Sequence, residues 1–343
     1  MITELPASER PGSVGATVLT VEDLRVSYER RDERVVAVDG LSFGVAPGEV
    51  LGLVGESGSG KSTAAMAILR LVRPPGRIER GRVTLGGVDL LTADPAALRR
   101  IRWREVALIP QGSMNSLNPV MRAGDQIADA ITAHEGRGDG ATVRQRVATL
   151  LDSVRLGANV AHRYPHELSG GMRQRVCIAM ATALDPRLVI ADEPTSALDV
   201  VTQRAVAETL LDATHRLRAS MILIGHDLAL QAQMVDRLAV MRRGRLVEIG
   251  PVRALFHRPS HPYTRILLTA VPSIRDPDGK RRKAWVAGQG DDPARCFLGA
   301  ACVQDRATAA EARPLMHDVG EGHLVACPIG EGDHASLWTA AHD

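Results

Sequence analysis

The spacing of apolar and polar positions changes several times along this chain, and each change marks a predicted element. From Val18 to Val50 the side chains alternate in strand fashion, with Pro47-Gly48 as a turn near the end. A short apolar run, Val50-Leu51-Gly52-Leu53-Val54, is followed by glycines and then by Thr63-Ala64-Ala65-Met66-Ala67-Ile68-Leu69 at helical spacing. That order predicts strand, loop and helix. Residues 77–91 predict a further small β element broken at Gly86-Gly87, and Ile101 to Ile109 leads into Pro110-Gln111. From about Gly124 to Leu184 helical spacing dominates, interrupted by polar loops at 134–141 and 157–167. Two further buried-strand runs, Leu188-Val189-Ile190-Ala191 and Met221-Ile222-Leu223-Ile224, each have a helical segment beside them. Parallel strands with crossover helices are the expectation. Residues 1–16 read as a disordered lead, 273–294 as a linker rich in Pro, Gly and charge, and 295–343 as a small cysteine-containing tail. No internal repeat is visible, so one copy of the main module is expected.

Composition narrows the class. At 343 residues and 45% apolar content the chain can bury a sizeable core, as two units or as one large domain with an appendage. No stretch approaches the roughly eighteen unbroken apolar residues of a membrane span. The start, MITELPASERPGSVGA, lacks a basic segment followed by an apolar run, so no secretory signal is expected and the cytosolic side is. A formal charge of +2 and 3% aromatic residues argue against a nucleic-acid binder held by bulk charge or base stacking. Only Lys61, Lys280 and Lys283 among the 42 basic residues are lysines, which draws attention to Lys61 in its glycine-rich setting. Four cysteines (Cys177, Cys296, Cys302 and Cys327) make no disulfide framework in a chain of this length. Cys177 lies in a helical pattern and is expected in the core.

Gly55-Glu56-Ser57-Gly58-Ser59-Gly60-Lys61-Ser62 matches the phosphate-loop pattern G-x-x-x-x-G-K-[ST], placed after a strand and before a helix. Glycines let backbone N–H groups turn inward around phosphates, and the helix start adds about half a positive charge. Lys61 would reach the terminal phosphates, and the Ser62 hydroxyl would sit on Mg²⁺. At average residue usage the pattern arises by chance at about one position in 30,000, so a ligand-free glycine turn is the minor reading. The run Leu188–Ala191 finishes on Asp192-Glu193. An aspartate there can hold Mg²⁺ across from the loop, and Glu193 is placed to polarise an attacking water. Such a strand end means little alone and gains its meaning beside the phosphate loop.

Leu168-Ser169-Gly170-Gly171-Met172-Arg173-Gln174-Arg175 stands before a helical pattern and is again anion-binding chemistry at a helix start. Two cradles suit one nucleotide when chains pair head to tail. The combination resembles the ATP-binding subunits of ABC transporters, whose signature is LSGG, over residues 18 to about 255. The resemblance implies an α/β fold: a P-loop NTPase with a RecA-like parallel-sheet core, an N-terminal antiparallel β subdomain and a helical signature subdomain at about 112–185. It implies an ATPase domain over 17–255 and a C-terminal extension over 256–343. It also implies an ATP site built from Gly55 through Ser62 and Thr63, with Tyr28 stacking on adenine. Ser169, Gly170, Gly171 and Asp199 would be offered to the nucleotide of a partner chain. Ser62, Gln111 and Asp192 are implied for Mg²⁺, and Glu193, Gln111 and His226 for hydrolysis.

Ser116-Leu117-Asn118-Pro119-Val120-Met121-Arg122 and His257-Arg258-Pro259-Ser260-His261-Pro262-Tyr263-Thr264 are similar to the oligopeptide, dipeptide and nickel importer branch. Gly112-Ser113 departs from that branch, where an acidic residue and a proline are common. Import of di- or oligopeptides is the implied function, with nickel or metal-chelate import as the alternative and a non-transport ABC ATPase on nucleic acid as a remote one. A regulatory module without hydrolysis is disfavoured by the presence of Asp192, Glu193 and His226. Implied partners are two transmembrane permease subunits, a second ABC ATPase chain (a heterodimer favoured over a homodimer) and, indirectly, an extracytoplasmic solute-binding protein, with no nucleic acid. The implied location is peripheral, on the cytoplasmic face of the cell membrane. The branch's C-terminal cysteine motif is associated in some members with an iron–sulfur cluster. Here Cys296, Cys302 and Cys327 keep their places while Ala309 takes the remaining one, and His317 or His323 could stand in. Three thiolates fall short of the Cys₄ norm, so structural thiols are expected in preference to a cluster.

Overall fold

The computed structural model describes residues 17–30, 33–136, 138–269 and 316–326. The expected lead at 1–16, the linker at 273–294, and Cys296, Cys302, Ala309 and Cys327 lie outside the described residues.

The first half of the chain runs β1 (Leu19–Arg30), β2 (Glu33–Val45), β3 (Val50–Val54), α1 (Lys61–Ile68), β4 (Gly76–Leu85), β5 (Val88–Asp89), α2 (Pro95–Ile101) and β6 (Val106–Ile109). Next come α3 (Ala123–Glu135), α4 (Gly140–Ser153), α5 (Gly170–Thr182), β7 (Leu188–Asp192), α6 (Val200–Leu217) and β8 (Ser220–Ile224). The last described elements are α7 (Leu228–Gln231), β9 (Arg237–Arg242), β10 (Arg245–Pro251), α8 (Val252–His257), α9 (Pro262–Thr269), β11 (His317–Asp318) and β12 (Leu324–Val325).

Two sheets result. An antiparallel sheet has the order β2-β1-β4-β5, and a larger one has the order β11-β12-β10-β9-β3-β8-β7-β6. Within the larger sheet β3 pairs in parallel with both β8 and β9, β7 with β8, and β6 with β7. The central strands are short and buried along their whole length, as expected where both faces of a parallel sheet are covered.

Period-two alternation decides which layer each side chain enters. Val50 and Val54, Val189 and Ala191, Met221 and Leu223 pack on the side of α3 to α6, in one cluster with Ile127, Leu151, Val176 and Leu210. Leu51 and Leu53, Leu188 and Ile190, Ile222 and Ile224 face the other way, against α1 and the antiparallel sheet through Ala64, Ile68, Leu24 and Leu41. The β3–α1 loop is thus anchored at its strand end by side chains entering both layers. Helix starts are set by short polar caps. Asp94, Asp139, Ser169, Asp199 and Asp227 each accept a hydrogen bond from a backbone N–H in the first turn that follows. Among the described residues no helix is long and apolar enough to cross a membrane.

Candidate nucleotide site

The loop between β3 and α1 is shaped by what a side chain would strike. Gly55 has φ +149°, and a Cβ there would lie 2.1 Å from the Met241 carbonyl oxygen on β9. Gly60 has φ +100°, and its Cβ would lie 2.2 Å from the Ala37 carbonyl oxygen on β2. Backbone from both sheets therefore presses on the loop, and only glycine admits that approach. Lys61, 6% exposed, folds its ammonium back over the loop. Its Nζ donates to the Gly55 and Glu56 carbonyl oxygens, each at 2.8 Å, and to Ser59 Oγ at 3.1 Å. Burial holds the Lys61 ammonium below the usual lysine range, opposed by Glu193, Asp192 and Glu56.

Asp192 closes β7 at 5% exposure, and its Oδ1 is buried with no hydrogen-bond partner. Burial pushes this carboxyl upward, against a hydrogen bond from the Ser62 side chain and the charge of Lys61. An orphaned carboxylate oxygen beside a hydroxyl is costly unless a cation completes it. Among the described residues no three His, Cys, Asp or Glu side chains gather into a metal cluster. One carboxylate and one hydroxyl facing a phosphate loop nevertheless suit Mg²⁺, which commonly takes one or two carboxylates and completes its shell with phosphate oxygens and water.

Glu193, next along, has φ +46°, and its N–H donates to the Ile224 carbonyl oxygen on β8 at 2.9 Å. Two side chains meet its carboxylate. Gln111 Nε2 donates to Oε2 at 2.9 Å, and His226 Nδ1 stands 3.6 Å from Oε1. A carboxylate only accepts, so the amide nitrogen faces it and the amide oxygen is left for a cation. Gln111 follows β6 and His226 follows β8, so three strand ends of one parallel sheet converge on one carboxylate.

The remaining expected residues lie on β1, on α5 and at the start of α6. Tyr28 on β1 is half-buried and lies across from Gly76 of β4, where a Cβ would come 2.5 Å from its ring. Ser169 caps α5, accepting from Met172 N at 3.3 Å, and the two glycines behind it are packed closely. A Cβ on Gly171 would lie 2.5 Å from Thr202 Cγ2 on α6. Asp199 caps α6, accepting from Thr202 N at 3.0 Å, beside exposed Val200 and Val201. Among the described residues no hydrogen bond or ion pair joins Ser169, Gly170 or Gly171 to the phosphate loop of the same chain.

Against known proteins, the family described as ABC transporter matches residues 38–196, and the oligopeptide/dipeptide transporter C-terminal region matches 247–307. The dipeptide transport ATP-binding protein DppD of Escherichia coli is 42% identical over 329 residues, covering 93% of this chain and 99% of that protein. The chain belongs to the ATP-binding subunits of ABC transporters. A putative peptide import ATP-binding protein of Brucella abortus is 41% identical over 319 residues, 91% of this chain and 95% of that protein. The solved dimeric ATP-binding cassette MJ0796, bound to ADP and Pi, superposes with a TM-score of 0.61 at 25% identity, over 68% of this chain and 99% of that one. The α/β fold expected from the motifs is that of these cassettes.

In this ABC ATPase several further polar groups take places that the motifs alone do not assign. Ser113, in place of the branch's more usual residues, is buried and donates to Gln174 Oε1 of α5 at 2.8 Å, tying the loop after Gln111 to the helix that Ser169 caps. Cys177 is half-buried on the same helix, its thiol pushed up to about 12 by burial. His323 is turned from solvent, with Nε2 2.7 Å from Glu248 Oε1, whereas His317 is exposed on β11. Tyr263, part of the branch motif His257–Thr264, reaches the phosphate loop itself, a contact the motif does not show because its partner lies 207 residues earlier. Between Trp103, Asn118, Met121, Gln126 and His134 lies a cavity of about 310 Å³, with Val120 78% exposed nearby.

Proposed function

We propose that this subunit binds and hydrolyses ATP at an interface with a second ATPase chain, and so powers import of di- or oligopeptides through two transmembrane permease subunits from the cytoplasmic face of the membrane. The observation that carries the reading is the convergence of Gln111 and His226 on Glu193, next to the unpartnered Asp192 Oδ1. Triphosphate would be received by the loop Gly55–Ser62 and Thr63, with Lys61 moving from its own carbonyls to the terminal phosphates and Tyr28 against the adenine. Ser62, Asp192 and Gln111 are the residues that would hold Mg²⁺, which supplies neutralisation of the charge that develops on the phosphates. Glu193 takes a proton from the attacking water, and Gln111 and His226 fix the orientation of its carboxylate.

Ser169, Gly170, Gly171 and Asp199 are assigned to the partner's nucleotide. Their lack of a link to this chain's own loop and the exposed Val200 and Val201 beside them support that assignment. The partner ATPase is taken as a different chain rather than a second copy. The cavity beside Asn118 and Met121 is assigned to a permease element, and a solute-binding protein outside the cell acts indirectly. Peptide as cargo rests on the names of the similar proteins and on the C-terminal match. The experiment is uptake of labelled dipeptide by cells making the chain with its permeases. Uptake that disappears in Glu193→Gln supports the reading, and uptake of nickel without peptide overturns the cargo assignment.

A further inference from the structure

The β3–α1 loop is contacted from a part of the chain that the nucleotide chemistry does not include. Tyr263, in the first turn of α9, is 2% exposed, and its hydroxyl accepts a hydrogen bond from Glu56 N at 3.0 Å. The Arg242 guanidinium lies 5.1 Å from the ring centroid, a cation–π contact that holds the ring face. Burial pushes the phenol up to about 12, so the hydroxyl stays neutral in the working range.

The peptide plane is what makes this contact mechanistic. Glu56 N–H and the Gly55 carbonyl belong to one planar peptide unit, and in a trans peptide they point in opposite directions. Tyr263 holds the N–H end, and Lys61 Nζ sits on the carbonyl end at 2.8 Å. Rotation of that plane would move the Gly55 carbonyl off the ammonium. It would also break the hydrogen bond between the Glu56 N–H and the buried Tyr263 hydroxyl.

Tyr263 is itself held by the chain around it. Glu248 on β10, 0% exposed, accepts from Ser260 N at 2.7 Å and His261 N at 3.1 Å, and faces His323 Nε2 at 2.7 Å. Tyr263 N then donates to His261 Nδ1 at 3.0 Å. A buried carboxylate thus pins the segment 260–263 to the sheet and to the β11–β12 pair. Hydrogen bonds, with the bodies of His261 and Tyr263 between them, link His323 to the phosphate loop.

We infer that Tyr263 is a positioning residue for ATP, holding the Gly55–Glu56 peptide, and with it the backbone of the phosphate loop, in the shape that receives the phosphates, so that the C-terminal segment is a structural part of the nucleotide site. The inference rests on the proposed ATP site and deepens it. The test is Tyr263→Phe in the full chain, which keeps the ring and its Arg242 contact and removes only the oxygen. Expected are a KM for ATP about tenfold higher, kcat within about twofold, and faster amide exchange in the peptide covering 55–61, with the melting temperature of the nucleotide-free protein little changed. A KM equal to wild type would overturn the inference, as would kcat, KM and melting temperature deteriorating together. Glu248→Gln is the second variant. It leaves the hydroxyl in place while weakening the hold on residues 260 and 261, and an increase in KM smaller than that of Tyr263→Phe is expected. An unchanged KM in Glu248→Gln limits the device to Tyr263 and overturns the part assigned to Glu248. Wild-type protein that fails to bind ATP at all would bring down the site assignment and this inference with it. Normal wild-type binding with an indifferent Phe variant would bring down the inference alone.

Discussion

Gln111 Nε2 donates to Glu193 Oε2 at 2.9 Å, an amide from one loop aiming the carboxylate at the end of a strand 82 residues later in sequence. An aimed carboxylate with a second neighbour in His226 is suited to taking a proton from water in one direction only. Glu193→Gln should therefore retain ATP binding while phosphate release falls by about 10²–10⁴. Gln111→Ala should keep the base and lose its aim, giving a smaller drop in kcat. Wild-type turnover in the Glu193 variant, measured as phosphate release, would remove Glu193 from that role.

Asp192, proposed to hold Mg²⁺, carries a structural cost. Its folded carboxyl lies above the usual range because of burial, so near neutral pH the folded state carries a penalty that the unfolded chain does not. The penalty fades as pH falls through the raised value and is gone below about 4, where the unfolded chain is protonated too. Asp192→Asn is expected to melt at a higher temperature than wild type at pH 7 without nucleotide, and to lose that advantage below pH ~4. Mg²⁺-dependent hydrolysis should be lost at every pH. Calorimetry across pH and a phosphate-release assay read the two effects separately.

The phosphate-loop glycines differ in what they tolerate. Gly55→Ala places a Cβ 2.1 Å from the Met241 carbonyl oxygen at φ +149°. A cost on the order of 3 kcal/mol follows from the combined strain and overpacking, a drop in Tm of about 5–10 °C. Gly58 has φ +79° with nothing within 4 Å of its Cβ position, so alanine there carries only backbone strain, about 1 kcal/mol. Equal melting temperatures for the two variants would contradict the packing described at Gly55.

Glu79 links the strands of the antiparallel sheet. It pairs with Arg34, accepts from Ser27 and lies 3.2 Å from Arg25 Nε, and the hydrogen bond to Arg34 leads in drawing its carboxyl down to about 2. A depressed carboxyl adds stability above the ordinary value near 4.5, and that stability drains away as pH falls toward 2. Glu79→Gln should lower stability at pH 7 and flatten the loss between pH 4.5 and 2. A wild-type acid-unfolding profile in that variant would dissociate Glu79 from acid stability.

Cys177 should resist alkylation. With its thiol near 12 and Sγ 3.3 Å from the Ser113 carbonyl oxygen, the thiolate population at pH 8 is negligible. Iodoacetamide should leave the Cys177 peptide unmodified in native protein and label it after unfolding, as read by peptide mass spectrometry.

Much of the site is legible in the sequence because its parts are local. Val50–Val54, the glycine loop and Lys61 are contiguous, so one stretch of chain specifies strand, cradle and ammonium together. Asp192 and Glu193 are legible as the polar end of an apolar strand, and Ser169 as a cap before a helical pattern. Their convergence is not, since hydrophobic period says which residues are buried and not which strands adjoin. β9 and β10 escape the pattern because the apolar run Leu238–Met241 is only four residues long and Glu248 and Gly250 break the run in β10. Glu248 and Tyr263 leave the weakest trace. A buried carboxylate on a strand and a tyrosine after a proline look like surface residues until the fold places hydrogen-bond donors around them.

The position of β3 has a bearing on how the protein is made. Its parallel neighbours are β8 and β9, and Gly48 N finds its partner in Ser220 Oγ only after 172 further residues. At the usual pace of translation that interval lasts about 10–35 s, during which a nascent chain carries the apolar strand before the phosphate loop with both edges bare. The half of the molecule that holds the phosphate loop cannot finish folding before the ribosome has delivered the other half. A stalled or truncated product would be a substrate for chaperones, not a smaller ATPase.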